Sequence, residues 1–202
     1  SDDEYKQSFA GNSLIYHYQL HELVNTKRKN KMSLKEIFDN QNTLEYLAKR
    51  TEKRNRKGSS IENNLFECWR ADGGSITFFK PTQASYLYCK YNAKKIIDPC
   101  AGWGGRMLGA MVAREKFKYN IKYIGFDTNV NLQQGYEQMI TDYTTYTKDE
   151  EATDRFKIIY QNALEVDYSQ YDYDFCLTSP PYYNLEQYSN MNLFVSEEHY
   201  YK

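Results

Sequence analysis

Thr178-Ser179-Pro180-Pro181-Tyr182-Tyr183 is where residue type and spacing speak most directly of chemistry in this chain of 202 residues. Two consecutive prolines remove two backbone donors, stiffen the turn and leave its carbonyls free to accept hydrogen bonds. Such a turn suits an amine attached to an aromatic ring, a poor nucleophile because its lone pair is delocalised into the ring. Acceptors at Ser179 Oγ and the Pro180 carbonyl would hold its two protons, favour a tetrahedral nitrogen and free the pair for in-line attack. Tyr182 then offers a ring for stacking. A purely structural Pro-Pro turn is the competing reading, and three segments upstream weigh against it.

The first of those is Asp98-Pro99-Cys100-Ala101-Gly102-Trp103-Gly104-Gly105-Arg106. Glycines at a strand-to-helix turn allow positive φ and let a ligand approach the backbone. The segment is not a dinucleotide fingerprint, because no third glycine follows Gly102 and Gly104 at the required spacing; Gly105 and Gly109 fall elsewhere. Gly-x-Gly alone also describes an ordinary turn. The second segment is Gly125-Phe126-Asp127, whose acid stands 29 residues beyond Asp98. A carboxylate at a strand tip can accept both hydroxyl protons of an adenosine ribose, and equally can cap a loop or helix. The third is Gln161-Asn162-Ala163, an amide placed either to read an adenine ring or to begin a turn. Cys100 has no basic partner nearby to make it a thiolate and is not read as a nucleophile. His17 and His21, beside Glu22, lack a third ligand and read as a helix surface, so no metal site is expected.

These segments need a scaffold to converge. From residue 75 onward β-rich runs at 94–98, 121–127, 156–160 and 173–178 alternate with helical patterns at 106–115 and 131–143, after an extended lead-in at 76–79. An acidic loop is expected at 148–154. The alternation indicates βαβ units: an α/β fold with a doubly wound, mostly parallel sheet whose ligands lie at the carboxyl ends of the strands. The first 70 residues read as helical instead. Ser33-Leu34-Lys35-Glu36 has the form of a capping box, an amphipathic segment with Leu44, Tyr46 and Leu47 begins near Thr43, and a short helix is expected at 61–69. The expected division is a helical region at 1–72 and a catalytic domain at 73–202.

Composition narrows the class further. With 41% hydrophobic, 16% aromatic and 26% charged residues the chain is globular rather than disordered. No apolar run approaches the roughly 20 residues that cross a bilayer, and the opening Ser-Asp-Asp-Glu has neither the basic nor the apolar region of a signal peptide. Cys68, Cys89, Cys100 and Cys176 lack Cys-x-x-Cys pairing and read as reduced thiols in an intracellular, cytoplasmic setting. The net charge of −1 conceals a basic run: residues 27–57 hold eleven Lys or Arg against four acids, a surplus of seven. A run of this kind is either a solvated helix face or a contact for a polyanion.

Taken as a set, these residues resemble the S-adenosylmethionine-dependent DNA amino-methyltransferases, which methylate cytosine N4 or adenine N6. Asp98 to Gly105 is similar to their D-P-F-x-G-x-G cofactor loop, Ser179-Pro180-Pro181-Tyr182 matches their [DNS]-P-P-[YFW] tetrad, and Phe79-Lys80-Pro81 is similar to a further cofactor-contacting segment. The match covers residues 76 to about 190. The resemblance implies a Rossmann-like class I methyltransferase fold with S-adenosyl-L-methionine as cofactor and direct methyl transfer to nitrogen, without metal or covalent adduct. It assigns Lys80, Asp98, Gly102 and Gly104 to the methionine and loop side of the cofactor, Asp127 to the ribose and Asn162 to the adenine, with Phe79, Pro81, Pro99, Cys100, Ala101 and Ala163 as further cofactor-binding residues. Ser179, Pro180, Pro181 and Tyr182 receive a base flipped out of DNA, as in restriction-modification enzymes. Cys100 and Trp103 replace commoner loop residues, Asn162 stands where Asp is frequent, and serine first in the tetrad leans toward cytosine N4. Tyr183 and the cations Lys49, Arg50, Lys53, Arg54 and Arg56 are the expected nucleic-acid contacts. Only 20 residues follow Tyr182, so the C-terminal part of the family fold is expected to be missing. The rival readings are an RNA guanine-N2 or protein glutamine methyltransferase of the same fold, and a catalytically silent nucleic-acid-binding subunit.

Overall fold

Short runs rich in isoleucine, phenylalanine and tyrosine suit a pleated, buried surface, and they form the sheet that carries the segments singled out above. The structure, a computed structural model, describes residues 9–54, 59–71, 76–183, 186–188 and 196. In chain order its helices and strands are α1 (Asn12–Leu23), β1 (Lys27–Arg28), α2 (Leu34–Asp39), α3 (Gln41–Lys53), α4 (Ile61–Trp69), α5 (Pro81–Lys90), β2 (Lys95–Asp98), α6 (Gly105–Phe117), β3 (Lys122–Asp127), α7 (Gln133–Thr147), α8 (Ala152–Arg155), β4 (Phe156–Tyr160), β5 (Phe175–Cys176) and β6 (Glu186–Gln187). They belong to two compact units that interleave along the chain, one of residues 1–20 and 78–180, the other of residues 21–77 and 181–202.

The first unit is built on a four-stranded sheet of order β4-β3-β2-β5 in which every neighbouring pair is parallel. The chain moves outward from β2 through β3 to β4, then returns to pair β5 on the other side of β2. This is the α/β, Rossmann-like order, with the reversal of direction between β2 and β5. Register fixes the faces. Asp98 pairs with Gly125, Gly125 with Ile158, and Asp127 with Tyr160, so these residues share one face with Ile96, Tyr123 and Phe156. Helices α6 and α7 lie on it: Arg106 reaches Asp98, and the ring of Tyr143 meets Phe156 edge-on at 5.1 Å. The return connection crosses the opposite face, where Tyr168 and Tyr171 stand edge-on to Phe126 at 5.8 and 5.3 Å. It contains two 3-10 turns, Ala163–Glu165 and Tyr168–Gln170, in place of an α-helix.

Three details depart from the sequence reading. Residues 76–80 join no sheet; the chain instead enters α5, a helix the pattern did not suggest, with Pro81 in its first turn where a missing N–H costs nothing. The acidic stretch is partly helical, since α8 begins at Ala152, and Asp149 holds Arg114 at 3.0 Å and Arg155 at 3.3 Å. The last strand is shorter than 173–178, although Leu177 still donates to the Ile97 carbonyl at 3.2 Å. Its start is pinned by Asp174, whose carboxylate accepts the Lys94 and Lys95 amides at 3.0 Å. The N-terminal helix also belongs partly here: Tyr18 donates to Asp142 and Gln19 to the Leu132 carbonyl.

In the second unit, Ser33 and Glu36 form the expected capping box of α2. Asn40 caps α3 by accepting from the Asn42 and Thr43 amides, and Ser60 caps α4. Leu47, Cys68 and Trp69 are buried. A two-stranded antiparallel pair joins Lys27 to Gln187 and Arg28 to Glu186, long-range pairing for which the sequence offers no pattern. No helix among the described residues is long and apolar enough to cross a membrane.

Candidate active site

The glycine segment leaves β2 and is fixed from three directions. Asp98, fully buried, ends the strand. Its carboxylate accepts from Arg106 Nε at 2.6 Å, from the Tyr123 hydroxyl at 2.5 Å and from the Cys100 amide at 3.3 Å. The Arg106 Nη2 also donates to the Cys100 carbonyl. Burial opposes the guanidinium charge, but Asp98, aided by Tyr123, outweighs it and holds Arg106 above its ordinary value. Asp98 is therefore tied within the chain and helps set the loop's shape.

Toward β3, Ala101 donates to the Phe126 carbonyl at 2.7 Å, Gly102 donates to Asp127 Oδ2 at 2.7 Å, and the Tyr136 hydroxyl donates to the Gly102 carbonyl at 2.7 Å. Gly102 and Gly104 have φ of +60° and +94°, the left-handed region in which a side chain is strained. A Cβ on Gly104 would press on Met139 at 3.1 Å and Tyr136 at 3.3 Å, and one on Gly105 would collide with the Phe79 carbonyl. That collision locates Phe79-Lys80-Pro81: its backbone lies against the first turn of α6, and the Phe79 ring lies 5.1 Å from the Arg106 guanidinium. Lys80 projects over the Phe9 ring at 4.1 Å.

Toward β5 the loop is tied by a hydrogen bond from the Cys100 amide to Thr178 Oγ1 at 3.0 Å. Because β2 and β5 are parallel neighbours, the glycine segment and Ser179-Pro180 emerge at the same carboxyl edge. Ser179 is half-buried. Burial pushes the Cys100 thiol up, which keeps it protonated and suits the reading that it is no nucleophile.

Asp127 and Asn162 occupy the tips of β3 and β4 as expected, but each also does local work. Asp127 Oδ1 accepts the Asn129 amide at 2.8 Å, and burial outweighs both backbone donors to push its carboxyl up. Asn162 Oδ1 accepts the Leu164 amide at 3.1 Å, so its carbonyl begins a 3-10 turn and its NH2 remains. The Ala163 carbonyl accepts from the Tyr168 hydroxyl.

Ser179 and Pro180 are the last residues of the first unit. In the second unit the Tyr182 ring is 67% exposed, and Lys29 lies 5.6 Å from the Tyr183 ring. The expected basic contacts differ in their surroundings. Arg54 is half-buried and paired with Glu67 at 3.7 Å, Lys49 approaches Glu45 at 4.0 Å, and Arg50 donates to the Tyr46 hydroxyl. Lys53 is exposed; Arg56 lies outside the described residues.

Sequence reasoning missed Arg106, Tyr123, Tyr136 and the role of Thr178. Arg106 followed the glycines directly, and an arginine at the start of a buried helix after a strand-ending acid was the available signal. Nothing in the sequence pairs Tyr136 with Gly102.

No protein-family model and no curated protein matches the chain. A solved structure from Staphylococcus aureus, provisionally described as a caffeoyl-CoA O-methyltransferase, aligns at 23% identity and a TM-score of 0.32 over 60% of this chain. The chain spans 51% of the length of that structure.

Proposed function

We propose that the chain is an S-adenosylmethionine-dependent methyltransferase acting on the exocyclic amine of a DNA base, cytosine N4 ahead of adenine N6. What carries the reading is the hydrogen bond from the Cys100 amide to Thr178 Oγ1, which joins the glycine segment to the residue preceding Ser179. The residues at that edge suit the cofactor. A side chain on Gly102 would meet only the Cys100 carbonyl, at 4.0 Å, so the backbone there is open to a ligand, and Asp127 brings a carboxylate to the same amide. Gly102, Gly104 and Asp127 would hold the cofactor, with Asn162 and Ala163 toward its adenine; it supplies a methyl group on a positively charged sulfur.

The chain's own residues do the rest. Ser179 Oγ and the Pro180 carbonyl accept the two amine protons, orient the nitrogen lone pair and raise its tetrahedral character. Tyr182 stacks on the base, replacing the neighbouring bases it leaves behind in the duplex. Arg106 and Asp98 act as positioning residues through the loop they brace.

The test is transfer of labelled methyl from S-adenosylmethionine to DNA, RNA and protein in parallel, with mass spectrometry of the nucleosides. Label in DNA as N4-methylcytosine is the expected result, and Tyr182→Ala should abolish turnover while sparing cofactor affinity. Label confined to RNA or protein would refute the DNA assignment. Absence of cofactor binding by the folded protein would leave a nucleic-acid-binding subunit.

A further inference from the structure

Tyr160 is the last residue of β4 and the parallel partner of Asp127. The two side chains therefore leave the same face of the sheet on adjacent strands, about 4.8 Å apart in the pairing direction. Other tyrosine hydroxyls on this side are matched, Tyr123 to Asp98 and Tyr136 to the Gly102 carbonyl. The Tyr160 hydroxyl is buried and has no hydrogen-bond partner among the described residues. A buried hydroxyl left in that state is costly unless something else meets it. Burial, then Asp127 and Glu137, push the phenol up, so it keeps its proton at neutral pH.

Asp127 is an incomplete site for a ribose. A carboxylate only accepts, and each of its oxygens already takes one backbone amide, Gly102 on Oδ2 and Asn129 on Oδ1. The remaining lone pairs can take the two O–H protons of a vicinal diol, but the diol oxygens also need a donor, which a carboxylate cannot be. A neutral phenol is such a donor. We propose that Tyr160 is the second half of this ribose site, its hydroxyl donating to an oxygen of the cis-diol whose protons Asp127 accepts. The inference rests on the cofactor reading above and adds a specificity-determining residue to it. The ligand class selected is a nucleoside bearing both 2′- and 3′-hydroxyls.

The experiment pairs calorimetric binding of S-adenosylhomocysteine with thermal unfolding of the ligand-free protein, for the wild type and Tyr160→Phe. Removing an unmatched hydroxyl should raise the unfolding temperature of the free protein while weakening binding about five- to tenfold, the loss of one hydrogen bond. Adenosine, 2′-deoxyadenosine and 3′-deoxyadenosine, titrated into both proteins, give the independent arm. Of the two deoxy forms, the one without the oxygen that Tyr160 meets should lose affinity for the wild type and show a smaller loss for the variant. Unchanged affinity, whatever the unfolding temperature, would mean the hydroxyl does not meet the ligand, and equal deoxy losses in both proteins would mean it does not touch the diol; either overturns the inference and leaves the methyltransferase reading standing. A wild type that binds none of these nucleosides would end both.

Discussion

Replacing Arg106 with methionine isolates what the buried ion pair does for the glycine segment. The two side chains are 4% and 0% exposed, so water cannot rehydrate Asp98 once the guanidinium is gone. Removing one partner of a buried pair costs about 3–5 kcal/mol. Methionine retains much of the volume, which limits the cavity contribution, and the Tyr123 hydroxyl and Cys100 amide still reach the carboxylate. The low end, about 3 kcal/mol, is therefore expected, a loss most domains survive with little to spare. Urea denaturation followed by circular dichroism measures it. Asp98→Asn and the double variant complete a cycle: neutralising the stranded carboxylate should restore at least about 2 kcal/mol relative to the sum of the single losses. Additive losses would refute the argument, because two groups bonded at 2.6 Å in a dry interior cannot be energetically independent.

Glycine substitutions should separate binding from folding. Gly102→Ala meets open space and should cost only about 1–2 kcal/mol of left-handed strain while abolishing measurable cofactor binding, whereas Gly105→Ala collides with the Phe79 carbonyl and should prevent folding; the reverse pattern in circular dichroism and calorimetry would contradict the geometry. Asp127 must be ionised to accept hydroxyl protons, so cofactor affinity should be full above its folded pKa and decline as pH falls through it. Because burial raises that pKa, the decline should begin above the ordinary carboxylate range of about 4, and Asp127→Asn should bind weakly with a flat profile between pH 7 and 5. Charge reversal at Lys49, Arg50 and Lys53 should lower the salt slope of DNA binding by about 0.9 for each phosphate no longer neutralised; fluorescence anisotropy across a salt series would return these residues to a solvated face if the slope is unmoved.

Much of the sheet was legible because its signals are local. The runs ending at Asp98, Asp127 and Tyr160 carry β-branched and aromatic residues up to an acid or a turn, and β2, β3 and β4 end where that pattern stops. Asp98 was legible as a strand-ending acid but not in its role, since burial and the Arg106 pairing arise only when α6 folds back on the strand. Helix α5 was hidden by its tyrosines, which blur the apolar stripe, although Pro81 marked its first turn. The pairing of Lys27–Arg28 with Glu186–Gln187 had no local signal at all, because short polar strands are chosen by their partners. At Asn162 the turn reading was legible from the residue type, and its side-chain carbonyl begins that turn.

The bond between the Cys100 amide and Thr178 joins positions 78 apart in the chain, and Asp174 reaches Lys94 across a similar separation. Neither loop can acquire its final form during the early, local stages of folding, when helices such as α6 and α7 assemble. Closure waits for the return crossing to bring β5 home, and long-range closure of this kind is slow. In a refolding experiment pulsed with deuterium, protection at the Cys100 amide should accordingly lag behind protection in α7, so that this edge of the molecule matures last.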